Sequence, residues 1–221
     1  MRRSVAAAAV LSLLAAAPAP AAEVPVPAPA APAAPAVSRE AKARAYFTDT
    51  ELRDQDDRPV RFYSDVLAGN VVCLSFIFTN CAEACPLIMQ KLSRVREVLG
   101  PRAGEVRFVS LSVDPANDSP AALRAFAEKH RTSGPGFTYL TGRKADMQAV
   151  LKKLGEWVED PGEHSTAFLA GNVRTHHWTK IRPDAPPQAV AELLRALADE
   201  GRGGGAPAAA AATPAPARSA N

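Results

Sequence analysis

The sequence predicts an α/β domain built on a central sheet, and three neighbouring features of its middle section support this prediction. Residues 71–78 are apolar almost without interruption and rich in β-branched and aromatic side chains, which is typical of a strand buried on both faces. A second such run covers residues 106–113. The segment between the two runs has the periodicity of an amphipathic helix. Strand, helix and strand at this spacing form a βαβ crossover, in which the two strands run parallel.

The helix of this unit is delimited by its own residues. Pro86 suits a first helical turn, and Gly100-Pro101 ends the pattern. Between them, apolar side chains recur at i, i+4, i+7 and i+11, at Ile88, Leu92, Val95 and Leu99. This stripe predicts a helix packed on one face of the sheet.

A short hairpin is expected upstream of the first core strand, because residues 52–54 and 60–62 flank the polar segment Gln55-Asp56-Asp57.

Two helices are expected downstream of the second core strand. The first follows Asp118-Ser119-Pro120, a cap with proline at the first helical position, and its inner face carries Leu123, Phe126, Ala127 and His130. The second ends at Gly155 and is marked by Met147, Val150, Leu151 and Leu154.

A second hairpin and a last helix complete the domain. Residues 166–169 and 173–181 flank Gly171-Asn172, which we predict as the turn. The last helix begins behind Pro186-Pro187 and carries Val190, Leu193, Leu194 and Leu197. The order ββ-β-α-β-α-α-ββ-α is that of a thioredoxin-like fold with an N-terminal β-hairpin added.

The ends of the 221-residue chain differ from its middle in composition. Seven of the 20 prolines lie in residues 18–35 and three in residues 207–216, among many alanines. We therefore expect four parts: a signal peptide over residues 1–22, an Ala/Pro-rich linker over residues 23–40, the thioredoxin-like domain over residues 41–200, and a disordered low-complexity tail over residues 201–221.

The first residues have the three parts of a secretory signal peptide. Arg2 and Arg3 precede an apolar run over residues 5–17, and A-x-A cleavage sites follow it. The run is shorter than the roughly 20 apolar residues that span a bilayer. This pattern predicts an exported, periplasmic protein, which would be membrane-associated if the signal were retained. The alternative is a disordered alanine-rich tail.

The charge balance argues against a nucleic-acid partner. Lys and Arg number 26 against 23 Asp and Glu, which gives a net charge of +3, and no basic run exceeds a dipeptide. Three cysteines are too few for a disulfide scaffold.

Two of these cysteines, Cys81 and Cys85, lie in the loop between the first core strand and its helix. In α/β sheets this carboxyl edge is where ligands bind, and the helix N-terminus stabilises thiolates. The pair can close a small disulfide or hold one soft metal ion. The alternative is two buried structural cysteines, the role that we assign to Cys73 inside its strand.

His164 is the candidate third ligand. If the strand that follows it runs antiparallel beside residues 71–78, His164 lies next to Cys81 and Cys85. Two thiolates and one imidazole favour Cu(I) and also accept Cu(II). Structural zinc would want a fourth ligand, for which Asp114 and Glu83 are available.

At these residues the sequence resembles the SCO/SenC family, thioredoxin-fold copper-binding assembly factors for the Cu(A) centre of cytochrome c oxidase. The resemblance rests on Phe76-Ile77-Phe78-Thr79 before Cys81-x-x-x-Cys85-Pro86, on Ser112-Val113-Asp114-Pro115 with Asp118-Ser119-Pro120, and on His164-Ser165. It implies that Cys81, Cys85 and His164 are the copper ligands. Asp114 matches an acidic position near residues 79–86, which carry the two cysteines and are called the metal loop below. There Asp114 either supports the ligands or only forms an Asp-Pro turn.

The sequence departs from the family pattern at three places. Ala82-Glu83-Ala84 stands where Pro-Asp is common, Glu163 where Asp is common, and Asp56-Asp57 where Asp-Gly is expected. No ligand is lost, so these departures bear on metal affinity and redox potential rather than on the presence of the site.

Two functions remain open. A copper metallochaperone would hold copper at Cys81, Cys85 and His164 and pass it, by the resemblance, to cytochrome c oxidase subunit II. A thiol–disulfide oxidoreductase would use Cys81 and Cys85 as a redox pair to reduce the cysteines of the Cu(A) site or of another exported protein. Another periplasmic copper carrier or a thiol reductant is a further expected partner. A peroxidase of the peroxiredoxin type is disfavoured. It would need an activating arginine near one peroxidatic cysteine, and no arginine lies between Asn70 and Gln90.

Overall fold

The computed structural model describes residues 38–202, so the predicted signal peptide, most of the predicted linker and nearly all of the predicted tail lie outside the described residues. The strands are β1 (Glu51–Asp54), β2 (Pro59–Arg61), β3 (Val71–Ile77), β4 (Val106–Ser112), β5 (Phe137–Thr141), β6 (Phe168–Asn172) and β7 (His177–Ile181). The α-helices are α1 (Arg39–Phe47), α2 (Ala84–Leu99), α3 (Pro120–Lys129), α4 (Lys144–Leu154) and α5 (Pro187–Asp199).

The seven strands form one sheet in the order β2-β1-β5-β4-β3-β6-β7. The central strands β3, β4 and β5 are parallel, and β6 and β7 add an antiparallel pair beside β3. At the other edge, the hairpin β1–β2 joins β5 in antiparallel pairing. This topology confirms the predicted α/β class and the thioredoxin-like arrangement with an N-terminal hairpin.

Both faces of the sheet are covered, as the nearly continuous apolar run of β3 predicts. Residues of α2, α3 and α5 pack on one face, where they meet Cys73 and Ile77. Residues of α1, α4 and a π-helical turn at Phe62–Leu67 pack on the other, where they meet Leu74 and Phe76. None of the helices described between residues 38 and 202 is both long and apolar enough to cross a membrane.

The predicted helices form, and their predicted apolar residues are buried or partly buried. His130, which we predicted on the inner face of α3, instead follows the last helical residue and is only partly buried, because α3 ends at Lys129. The side chain of Ser119 caps α3 by accepting the N–H of Ala122, and Gly155 ends α4 in the left-handed conformation at φ 74°. The whole predicted stripe of α2 is buried, at Ile88, Leu92, Val95 and Leu99.

The prediction of the second hairpin turn was wrong. Gly171 and Asn172 belong to β6, and the turn spans residues 173–176. The side chain of Asn172 accepts the N–H groups of Arg174 and Thr175 and donates to the carbonyl oxygen of Leu197 at 2.8 Å. Because this buried amide anchors the end of β6 to α5, the chain reverses only after it, with His176 at φ 60°.

The sequence patterns did not indicate β5 or α1. β5 is five residues long and pairs parallel to β4, so that α3 becomes the crossover of a second βαβ unit. α1 begins at Arg39, within the segment predicted as linker, and Ser38 caps it by accepting the N–H of Ala41 at 3.1 Å. Phe47 is the one residue of α1 that is buried, which is why no apolar stripe marks this helix.

We expect Gly171→Ala to destabilise the domain by about 2 kcal/mol, because overpacking a tight contact costs about 1–3 kcal/mol. A Cβ atom at this position would lie 2.5 Å from two ring carbons of Trp178, its partner on β7. Chemical denaturation measures the free energy of unfolding. Gly134→Ala is the matched control, since no atom lies within 4 Å of its Cβ; equal losses in both variants would contradict the expectation.

Candidate metal centre

Cys81 and Cys85 lie where β3 passes into α2. The chain turns directly after β3, and the N–H of Cys81 donates to the carbonyl oxygen of Phe78 at 3.2 Å. Because α2 begins at Ala84, Cys85 occupies its first turn. The N–H of Cys85 donates to Sγ of Cys81 at 3.3 Å. An amide of the helix N-terminus therefore points at the Cys81 sulfur, where its partial positive charge stabilises a thiolate.

His164 lies at the same end of β3, in the segment that precedes the neighbouring strand β6. It follows a 3-10 turn at Pro161–Glu163, in which Asp160 accepts the N–H of Gly162 at 2.8 Å. β6 then runs antiparallel beside β3, as predicted, and this pairing brings the start of one strand beside the end of the other. The rings of Phe78 and His164 are perpendicular, with centroids 5.6 Å apart and an interplanar angle of 87°.

The hydrogen bond of the His164 ring sets which nitrogen is free. Nδ1 lies 3.0 Å from the carbonyl oxygen of Ser165, and since a carbonyl only accepts, Nδ1 carries the proton. Nε2 therefore presents its lone pair, and it lies 3.7 Å from Sγ of Cys85. This is the arrangement in which an imidazole binds a metal through one nitrogen while a backbone carbonyl orients the other.

The three side chains form one compact donor group. One ligand atom from each of Cys81, Cys85 and His164 lies within 4.8 Å of the others. Cys85 and His164 are buried, whereas Cys81 is partly exposed. The group opens onto a cavity of 350 Å³ whose lining includes Ala84 and Thr166. The geometry thus combines a fixed set of donors with access from solvent.

The environment separates the two thiols in acidity. Burial raises the pKa of the Cys81 thiol, but hydrogen bonds from Cys85 and from the amides of Glu83 and Ala84 outweigh it, so its pKa lies below the ordinary value. Burial raises the pKa of the Cys85 thiol to about 12, and the neighbouring charges of Cys81 and Asp118 add to this rise. Cys81 is consequently the first thiolate to form as the pH rises.

Iodoacetamide is therefore expected to alkylate Cys81 first in the reduced chain. Its thiolate forms at a lower pH than that of an ordinary cysteine, so its rate should rise with pH and level off earlier. Cys73 is an internal control, because burial raises its pKa to about 12. Tandem mass spectrometry of the modified chain identifies the site, and faster labelling of Cys85 or Cys73 than of Cys81 would contradict the assignment.

Comparison with known proteins decides the family. Residues 38–199 match the family model described as SCO1/SenC. The chain belongs to the SCO1/SenC family. This membership confirms the resemblance found in the sequence.

Individual relatives of this SCO1/SenC chain agree with that assignment. The "SCO1 protein homolog" of Bacillus subtilis is 37% identical over 123 residues, covering 52% of this chain and 63% of that protein. A protein of Stutzerimonas stutzeri named "Putative copper-binding protein" is 29% identical over 160 residues, covering 65% and 74%. The solved structure of BsSco, described as a member of the Sco family of cytochrome c oxidase assembly proteins, superposes with a TM-score of 0.58 at 25% identity and covers 68% of this chain and 91% of that one.

Asp118 is the site residue that the sequence patterns did not reveal. We predicted it as part of the α3 cap, yet its carboxylate faces the metal loop. One oxygen accepts the N–H and the hydroxyl of Thr79, at 3.0 and 2.6 Å, and the other accepts the hydroxyl of Ser112 at 2.6 Å. Asp118 is buried, so it ties the start of the metal loop to the end of β4. Three donors meeting at one carboxylate cannot be found from sequence spacing.

Asp114, for which two roles were open, makes the contacts of a turn. Its carboxylate accepts from the side-chain amide of Asn117 at 2.8 Å, and its carbonyl oxygen accepts the N–H groups of Asn117 and Asp118. Neither Asp114 nor Glu83, the two predicted alternative zinc donors, belongs to the donor group.

Other side chains that could bind a metal are accounted for by packing or by other polar contacts. Cys73 is fully buried in β3, as predicted. Met89, one turn after Cys85, is also buried, and its sulfur accepts the hydroxyl of Tyr139 at 3.1 Å. His177 starts β7, where it pairs with Glu200 at 2.6 Å. These contacts leave Cys81, Cys85 and His164 as the donor set.

Proposed function

We propose that this chain is a copper metallochaperone that binds one copper ion through Cys81, Cys85 and His164. The observation that carries the proposal is the donor group itself, in which two sulfur atoms and the free Nε2 lie within 4.8 Å of one another. The site is specific for a soft ion, because thiolates select Cu(I) and imidazole also suits Cu(II).

The number of ligands favours copper over zinc. Structural zinc is nearly always held by four protein ligands, and no fourth His, Cys, Asp or Glu among residues 38–202 joins this group. The name of the Stutzerimonas stutzeri relative points to the same metal. Copper here is cargo, held by few ligands so that it can leave.

The exposure of Cys81 suits delivery by ligand exchange. An incoming thiolate can reach copper from the Cys81 side, through the cavity of 350 Å³. The buried residues Cys85 and His164 would keep the ion bound during this approach. The Cys81 thiolate, stabilised by helix amides, is also the better leaving ligand. A closed four-ligand site would offer no such entry.

The recipient that we propose is the Cu(A) centre of cytochrome c oxidase subunit II, in the periplasm. Two points support this step: the related protein BsSco is described as belonging to a family of oxidase assembly proteins, and residues 1–22 have the pattern of an export signal. The site chemistry also fits, because a centre built from cysteine sulfur can take Cu(I) from two thiolates without a change in ligand type.

Copper transfer to an isolated recipient tests this function. The Cu(I)-loaded full chain is mixed with the copper-free Cu(A) domain of subunit II, with a Cu(I) chelator present to capture free ions. After transfer, ferricyanide removes one electron from the domain's two Cu(I) ions and gives the coloured mixed-valence centre. We expect this visible absorption with the loaded chain and with a loaded Cys73→Ser control. Copper that stays on the chain, or reaches the domain only without chelator, would contradict delivery.

A second candidate function is favoured by the unequal acidity of the thiols. The Cys81 thiolate would attack a target disulfide and form a mixed disulfide. Cys85 would then lose its proton and attack the Cys81 sulfur, which releases the second target thiol and leaves a Cys81–Cys85 disulfide. An external thiol reductant must restore the pair. This reaction prepares two target cysteines for copper, so it and copper transfer can serve one recipient.

A further inference from the structure

A groove runs along α2 away from the metal centre. It has a volume of 590 Å³ and lies between the first three turns of α2, the start of β6 and the loop before α5. Its lining includes the apolar residues Ile88, Phe168, Pro183 and Pro187. A surface groove with a largely apolar lining can take an extended polypeptide segment.

The groove and the metal centre are continuous. Ala84 and Thr166 line both the groove and the cavity that opens onto Cys81 and His164. A chain that approaches the metal centre with a pair of thiols can therefore extend directly into the groove, without crossing a ridge between the two.

Leu87 lines the groove, and the rest of the domain leaves its apolar side chain exposed. Its side chain is 66% exposed, and Tyr46 is the one other large hydrophobic residue exposed among residues 38–202. Leu87 stands one half-turn after Cys85 on the same helix. An apolar side chain this exposed, at the rim of an apolar groove and beside a reactive centre, is typical of a contact that a partner completes.

The charge of the groove indicates what the partner carries. Its lining holds the cations Lys91 and Arg94 and no carboxylate among the described residues. The Lys91 ammonium donates to the backbone carbonyl of Pro183. Asp184 lies near Lys91 but forms its ion pair with Arg182 at 2.7 Å, so Lys91 has no acidic partner within ion-pair distance among the described residues. Arg94, in contrast, pairs with Glu97 at 2.7 Å. Lys91 is thus the cation that a partner's carboxylate can pair with.

We propose that this groove docks an acidic segment of the protein that receives copper, a segment placed directly after its copper-binding thiols. The inference rests on the proposed function and adds the recognition element. The segment carries an apolar side chain for Leu87 and then a carboxylate for Lys91. Copper stays Cu(I) during transfer, while the recipient thiolates replace those of Cys81 and Cys85, which take up the displaced protons.

The helix fixes the spacing between these two contacts. Leu87 and Lys91 are four residues apart on one face of α2, which separates them by about 6 Å along the helix axis. An extended chain rises about 3.3 Å per residue. The carboxylate of the segment is therefore expected about two residues after its apolar side chain.

Short dithiol peptides test the docking. Each contains Cys-x-x-x-Cys and then leucine, and they differ in the third and fourth positions after the second cysteine, which are two glutamates, two serines or two lysines. Stopped-flow transfer of Cu(I) from the loaded full chain should be about tenfold faster to the glutamate peptide than to the lysine peptide at low ionic strength. Lys91→Glu should reverse that order, and Leu87→Ala should slow transfer to all three peptides about fivefold.

Matched controls separate docking from the copper site. Lys152→Glu makes the same charge change on α4, on the opposite face of the sheet, and should leave the order of the peptides unchanged. Transfer to dithiothreitol, which is too small to reach the groove, should be equal in all variants. Equal rates for the three peptides, or an unchanged order in Lys91→Glu, would overturn the proposal.

Two further outcomes have distinct meanings. If the chain loads no copper, the proposed function fails, and the groove is then tested on the copper-free chain with serine analogues of the same peptides. Amide chemical shifts near Leu87 and Lys91 should still move with the glutamate peptide, and their constancy would overturn the docking. If removing residues 203–221 speeds transfer and makes the rates of the three peptides equal, the groove serves the chain's own tail, and the proposal is wrong.

Discussion

His164→Ala is expected to remove tight copper binding while most of the thiol–disulfide exchange remains. The free Nε2 of His164 is the one nitrogen in the donor group, so its loss leaves copper with two sulfur atoms. Loss of groups that only orient a metal ligand costs about 10–100-fold in affinity, and loss of the ligand itself should exceed that. Disulfide exchange needs only Cys81 and Cys85, because the thiolate of Cys81 is stabilised by helix amides rather than by the imidazole.

Two measurements on one preparation check this division. Cu(I) affinity is measured by competition with a chelator, and exchange is measured as the rate at which the reduced chain cleaves a model disulfide. His177→Ala is the control, since it removes an exposed imidazole that pairs with Glu200 outside the donor group. Equal loss of both activities in His164→Ala would contradict separate roles for the imidazole and the thiols.

Asp118→Ala is expected to destabilise the domain by about 3 kcal/mol and to weaken copper binding as well. The substitution leaves the N–H and hydroxyl of Thr79 and the hydroxyl of Ser112 without their acceptor. Each buried donor that loses its partner costs about 1–3 kcal/mol, although part of this is recovered where a hydroxyl can rotate. Because Thr79 precedes Cys81 by two residues, the metal loop loses its tether to β4.

Two variants make this prediction specific. Asp118→Asn should cost less, about 1 kcal/mol, since the amide oxygen can still accept from Thr79 and the Ser112 hydroxyl can turn to accept from the amide nitrogen. Asp114→Ala, in the same loop, removes only the exposed contact with Asn117 and should change the free energy of unfolding by less than about 1 kcal/mol. Chemical denaturation ranks the three, and a larger loss for Asp114→Ala than for Asp118→Ala would contradict the role of Asp118.

The core of the fold could be predicted from the sequence because its signals are local and strong. β3 is apolar on both faces, and α2 repeats its apolar residues over about three turns between clear start and stop residues. These two elements place Cys81 and Cys85 at the carboxyl edge of the sheet. One further inference, that β6 lies antiparallel beside β3, was enough to bring His164 to the cysteines.

What could not be predicted depends on contacts between distant parts of the chain. β5 is short, and its pairing with β4 and β1 defines it more than its own pattern does. The turn after β6 is displaced because Asn172 bonds to the carbonyl oxygen of Leu197, 25 residues further on. Asp118 looks like a helix cap in sequence, and only the tertiary structure shows that Thr79, 39 residues earlier, donates to it.

Anaerobic titration of the reduced full chain with Cu(I) against a competing chelator tests the central claim most directly. We expect one tightly bound copper per chain, lost in Cys81→Ala and retained in Cys73→Ser, whose altered residue is buried in β3 outside the donor group. Weak binding in the native chain, or tight binding that survives Cys81→Ala, would contradict a copper site made by Cys81, Cys85 and His164.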